Sequence, residues 1–185
     1  MHWKNYIALL ILQIAYETVM AARNRRFHVE MYNMSCNHTE VVKRMDCHLA
    51  KLATDRYAVT VKFMYKDDLA NDGVAHTQIL VRMKRGPPVL KFLDFKVNVC
   101  DALSVSSFPI PLAKDLFDEA RRTSNLPYNC PLKGNFLYYI NNYTVTSETI
   151  PAYAPLMNFS LIFKIYKNNE LVIATETQGG TIPKI

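Results

Sequence analysis

Glycine is scarce in this chain, five residues in 185. A phosphate-cradling loop needs glycine to let backbone N–H groups close around an anion, and no Gly-rich run exists here to build one. There is no Gly-x-Ser-x-Gly elbow to expose a nucleophilic serine and no His-Glu-x-x-His pair to hold a catalytic zinc. The acidic pairs that do occur, Asp67-Asp68 and Asp118-Glu119, fall in a turn and on the polar face of a helix-like segment, where solvated charge explains them. The expectation is a protein that is not an enzyme and carries no cofactor.

Long apolar runs are also missing. A membrane-spanning helix needs about 20 apolar residues, and the longest run here, Ile7 to Tyr16, is ten residues, interrupted by Gln13 and followed by Glu17. Lys4 precedes it, and the small residues Ala21 and Ala22 follow. This is the layout of a cleaved signal peptide over residues 1–22, which implies secretion, an extracellular location and no membrane span in the mature form. Residues 23–26, "RNRR", form a basic leader that fits a dibasic processing site and would leave Phe27 as the mature start; a charged leader ahead of the first strand is the other reading. The remaining charge, net +6 over the chain, is dispersed rather than gathered in a stripe, so no nucleic-acid partner is expected.

From Phe27 onward, apolar and polar residues alternate with period two, the pattern of strands with one buried face. In "YAVTVKFMY", Tyr57, Val59, Val61, Phe63 and Tyr65 point one way and Ala58, Thr60, Lys62 and Met64 the other. The same alternation marks residues 27–33, 40–52, 75–83, 89–100, 135–145, 157–166 and 170–175, giving eight candidate strands. Turn residues separate them: Asp72-Gly73, Gly86-Pro87-Pro88, Pro151 with Pro155, and Asn168-Asn169, which suits a tight hairpin because asparagine tolerates positive φ. One segment has helical spacing instead. Over residues 111–124, Leu112, Leu116 and Ala120, with Ala113 and Phe117, share a side, and Pro111 suits the first turn. The fold class is therefore all-β, a two-sheet sandwich of about eight antiparallel strands with one helical insertion near 111–124. A single domain over 27–178 and a tail over 179–185, "GGTIPKI", complete the layout, with no internal repeat or linker.

Four cysteines, Cys36, Cys47, Cys100 and Cys130, make an even number in an oxidising compartment, so two disulfides are expected. Of the three pairings available, Cys100 with Cys130 is preferred: Cys100 closes one strand, Cys130 precedes the next, and the helix between them needs tying to the sheet. Cys36 then pairs with Cys47 by elimination. Zinc is the rival, since Cys36, His38, Cys47 and His48 are ligands of the right type, but adjacent Cys47 and His48 in a strand would point to opposite faces. Four Asn-x-Ser/Thr sequons, at Asn33, Asn37, Asn142 and Asn158, fit the secretory route as glycosylation sites, Asn37 and Asn142 being the better candidates.

Eleven tyrosines and nine phenylalanines remain to be placed. Several, Phe63, Phe92, Phe95, Phe117, Phe136, Phe159 and Phe163 among them, fall on presumed inner faces, where they either pack a core or line an apolar space between the sheets. The order Cys36, Cys47, "VNVCDAL" (97–103), the helix, "NCPLKGNF" (129–136) and "IPAYAP" (150–155) resembles an insect-specific family of secreted proteins of unknown function, present in many copies in flies. That family is similar to the chemosensory CheB proteins and, more remotely, to the ganglioside activator, which shares a Cys-Pro-x-Lys-Gly segment. The resemblance implies an immunoglobulin-like lipid-recognition sandwich that holds a hydrophobic small molecule or lipid between its sheets, with a cell-surface receptor as a further partner and a chemosensory or pheromone-related setting. On that reading Tyr128, Lys133 and Asn135 are candidates for the mouth of a ligand site, and Leu116, Phe117, Phe136 and Tyr138 for its wall. The alternative is an extracellular interaction module with a filled core and no small-molecule ligand.

Overall fold

A computed structural model of the chain describes residues 26–83, 86, 88–104 and 110–184. The expected signal peptide and most of the basic leader lie outside the described residues. Among those described, the chain runs β1 (Phe27–His38), β2 (Val42–Ala53), β3 (Arg56–Tyr65), β4 (Gly73–Met83), β5 (Leu90–Asn98), α1 (Val99–Ser104), α2 (Pro111–Arg122), β6 (Tyr138–Thr146), a 3-10 turn (Ser147–Thr149), β7 (Met157–Lys167) and β8 (Glu170–Pro183). The strands form two sheets, β1-β8-β7-β4-β5 and β2-β3-β6, and every neighbouring pair is antiparallel. This is the expected all-β sandwich. Alternation fixes the faces: Tyr57, Phe63 and Tyr65 of β3 are buried, as the period-two pattern requires. The hairpin at Asn168-Asn169 has positive φ at both residues, 51° and 68°, matching the right-handed twist of its strands.

Two boundaries differ from the sequence expectation. The strand expected to run through Cys100 stops at Asn98, whose Oδ1 accepts hydrogen bonds from the backbone N–H groups of Cys100 (2.8 Å) and Asp101 (3.4 Å). A side chain that satisfies these N–H groups starts a helical turn, so Cys100 lies in α1 instead of closing a strand. At the other end, β8 continues through the segment expected to be a tail, pairing with β1 as far as Phe27↔Pro183. Gly179 and Gly180 open the expected tail, but they are there for close packing. A Cβ on Gly179 would sit 2.7 Å from Cζ of Phe159 and 2.8 Å from the carbonyl oxygen of Glu30.

Two buried clusters hold the sheets together, one toward each end. The larger gathers Phe63, Tyr65, Leu69, Leu132, Tyr138 and Ile173 with their neighbours; Phe63 stacks on Tyr138 with ring centroids 5.6 Å apart. The smaller consists of Val29, Met31 and Tyr57, on β1 and β3. The Cys36–Cys47 disulfide joins β1 and β2, the edge strands of the two sheets, with Cα atoms 6.3 Å apart. The Cys100–Cys130 disulfide joins α1 to the segment before β6, with Cα atoms 5.3 Å apart. Both pairings are those expected, and with no free cysteine the zinc alternative falls. Among the described residues no group of three or more His, Cys, Asp or Glu is placed to hold a metal ion, and no helix is long and apolar enough to cross a membrane.

Candidate ligand-binding cavity

Between the two clusters the sheets do not meet. Leu161 shows this most directly: it is on the inner face of β7, flanked by β4 and β8, yet it is only half-buried. A leucine in the centre of a close-packed sandwich would be fully covered. What it borders is a cavity of about 700 Å³, within the ~300–1,000 Å³ typical of small-molecule sites.

Three surfaces enclose this space. The five-stranded sheet contributes Ile79, Leu161 and Phe163 with the threonines Thr77, Thr175 and Thr177; the three-stranded sheet contributes Val59, Val61, Ile140, Tyr143 and Val145. The third surface is α2. Leu112, Ala113, Leu116, Phe117 and Ala120, the residues whose spacing marked one side of a helix, all line the cavity. Opposite faces of the same helix carry Lys114 paired with Asp118 and Arg122 paired with Glu119. The helix thus serves as a side wall: apolar toward the cavity, charged toward water.

The mouth is marked by lining residues that are also exposed. Met83, Leu90 and Phe92 flank the β4–β5 connection, and Tyr153 comes from the loop before β7. Phe92 owes its place to a register shift: Ile79 pairs with Leu93 and Leu80 with Lys91, which leaves Phe92 unpaired in a bulge, 56% exposed. Lys91 is the one charged residue on the wall among those described, and its ammonium already faces Asp94 at 3.3 Å. The Asp94 carboxyl is pulled down to about 2, chiefly by its hydrogen bond with the His76 ring (2.6 Å) and then by Gln78. Inside, Tyr143 is a neutral hydroxyl, its phenol pushed well above the ordinary value by burial. Among the described residues the interior therefore offers apolar surface and a few hydroxyls, and no charge.

The seven residues proposed for ligand contact separate into two groups. Leu116 and Phe117 line the cavity; Tyr128, Lys133, Asn135, Phe136 and Tyr138 do not. Tyr138 is a core residue whose hydroxyl accepts the backbone N–H of Lys133 at 2.6 Å. Lys133 pairs with Asp68 at 3.0 Å, and the Asp68 carboxyl is held below its usual range first by the backbone N–H of Gly134 and then by Lys133 itself. Tyr128 is 71% exposed, with the Arg121 guanidinium 4.2 Å from its ring centroid. Phe136 is half-exposed and packs its ring 4.8 Å from that of Tyr138. The stretch around Cys130 is a structural corner, where Leu69 and Leu132 exchange backbone hydrogen bonds at 2.8 Å. Of the seven phenylalanines expected on inner faces, all but Phe136 line the cavity.

The four sequon asparagines are exposed. Asn33, Asn37 and Asn158 lie on the outer face of the five-stranded sheet, and Asn142 sits in β6 at φ 56°. None of them borders the cavity.

Residues 75–161 match the model of a family described as a protein of unknown function (DUF1091). The matched stretch begins in β4, takes in the mouth, α2 and β6, and ends at Leu161 in β7. No curated protein matches the chain.

Proposed function

We propose that this chain is a secreted, non-enzymatic carrier that encloses a lipid or lipid-like hydrophobic molecule between its sheets. The observation that carries the reading is the cavity of about 700 Å³, walled by apolar side chains from both sheets and α2. Each methylene moved from water into such a space contributes about 0.8 kcal/mol, so a single acyl chain supplies ample driving force without any specific polar contact. An interaction module with a filled core, the competing reading, requires close packing where Leu161 and Phe163 instead border open space. Two disulfides are compatible with an oxidising, extracellular setting. The likeness of the cysteine and motif order to the CheB proteins and, remotely, to the ganglioside activator points in the same direction and suggests a chemosensory or pheromone-related role, with delivery to a receptor.

Native mass spectrometry of the protein purified from the medium of secreting cells tests this. A bound hydrophobic molecule, released under denaturing conditions, is the expected result. A chain that arrives empty and takes up no lipid when offered one overturns it.

A further inference from the structure

The cavity's own hydroxyls say what kind of hydrophobic molecule fits. Thr175 and Thr177 sit two residues apart on the inner face of β8, about 7 Å along the strand. Thr77 lies two strands away in β4, about 10 Å across the sheet, with Phe163 between it and Thr175 in the register. All three line the cavity. Among the described residues none of the three hydroxyls has a hydrogen-bond partner. Thr181, further along β8, shows the contrast: its hydroxyl donates to the carbonyl of Pro155 and accepts from the N–H of Met157, both at 2.8 Å, so the fold uses it. Valine would pack these strands equally well. The three free hydroxyls are therefore available to something inside the cavity.

We infer that the ligand is a long, uncharged molecule with a hydrogen-bonding oxygen within its chain, a ketone, ester or alcohol, held by Thr175 and Thr177 while its apolar ends run past Leu161 and toward the mouth at Phe92 and Tyr153. This rests on the carrier reading above. The same wall disfavours a carboxylate or an ammonium: among the described residues no charged side chain reaches the interior, and Lys91, at the mouth, is already matched by Asp94. A charged head would leave water without compensation.

The test uses the full mature chain stripped of lipid and a neutral fluorescent apolar dye, displaced by three probes of matched chain length: a hydrocarbon, a mid-chain ketone and a fatty carboxylate at neutral pH. The ketone is expected to displace the dye at about tenfold lower concentration than the hydrocarbon, the gain of a net hydrogen bond, and the carboxylate to be the weakest. The near-isosteric double variant Thr175→Val/Thr177→Val is expected to keep its affinity for the hydrocarbon and lose the preference for the ketone. Equal binding of hydrocarbon and ketone, a carboxylate that binds best, or a double variant that keeps the ketone preference overturns the inference and leaves the carrier reading standing. If neither dye nor any probe binds, the carrier reading fails and this one with it.

Discussion

Replacing Leu161 with tryptophan distinguishes a cavity from a core. Leu161 sits on a central strand with neighbours on both sides, and its side chain borders the open space. In a close-packed interior the larger ring forces neighbours to move, at a cost of about 1–3 kcal/mol. At about 2–4 °C per kcal/mol for a domain of this size, the melting temperature would fall by roughly 2–12 °C. With about 700 Å³ to enter, the indole displaces no protein atoms, so the Tm of the ligand-free protein is expected to hold or rise. Ligand binding moves the other way. The substitution adds about six heavy atoms where ligand carbons would lie, and at about 0.8 kcal/mol per methylene the upper bound on lost affinity is about 5 kcal/mol. A ligand that shifts into the remaining space gives up less, so Kd is expected to rise, by up to roughly 5,000-fold. Circular dichroism melts of the stripped protein and dye displacement read the two quantities. A lowered Tm with unchanged dye affinity would refute the reasoning, because it would mean that the ring met packed atoms and that no ligand space was lost.

Three further expectations follow from the packing around the cavity. Asp55, in the β2–β3 turn at φ 62°, accepts hydrogen bonds from the N–H of Val29 and from both the N–H and the hydroxyl of Ser147, tying β1 and the 3-10 turn to the hairpin. Burial raises its pKa, but these bonds, the Ser147 hydroxyl foremost, outweigh burial and hold the carboxyl below its usual range. The stability it contributes is full above the unfolded-state value and is lost as pH falls below about 4; Asp55→Asn should cost about 2–3 kcal/mol at neutral pH and flatten that acid limb in urea titrations. Removing the Cys100–Cys130 pair, which closes 30 residues, should cost about 3.7 kcal/mol in the chain-entropy model, and removing Cys36–Cys47, which closes 11, about 2.8 kcal/mol; denaturant melts of the two double-serine variants giving the reverse order would mean that native-state strain or residual unfolded structure dominates. Gly134→Ala would place a Cβ 2.7 Å from the backbone of Asp67 and from the carbonyl oxygen of Lys66, neither of which can rotate away, and a loss of about 1–3 kcal/mol is expected in thermal melts.

Much of the architecture was legible in local patterns because local patterns are what make it. Period-two alternation in 57–65 placed Tyr57, Phe63 and Tyr65 inward, and helical spacing in 111–124 gathered the five residues of α2 that line the cavity, since side-chain direction follows directly from backbone repeat. The even cysteine count and the position of the helix led to both disulfides. Local signals misled where a side chain or a glycine served a distant partner. Asn98 ended a strand early by capping a helix, and the Gly179-Gly180 pair, which resembled a tail, was a place for Phe159 and Met31 to approach β8.

The candidate site was legible only in part. Alternation put Phe159 and Phe163 on the inner face of a strand over 157–166, but the strand expected at 170–175 stopped short of Thr177, and whether that face meets another or leaves a gap is a property of two sheets that no single strand encodes. Lys133, Tyr128, Phe136 and Tyr138 drew attention by standing beside Cys130, yet they serve a corner: sequence neighbours of a disulfide share its staple, and the cavity is walled by residues far apart in the chain. By itself, then, the sequence determined the strands, the helix, their buried faces and the covalent cross-links. Only the tertiary structure decided that α2 lines the space between the sheets, that the core divides into two clusters, and that the space between them opens beside Phe92 and Tyr153, because separation between layers is set by long-range packing and not by the repeat of any one segment.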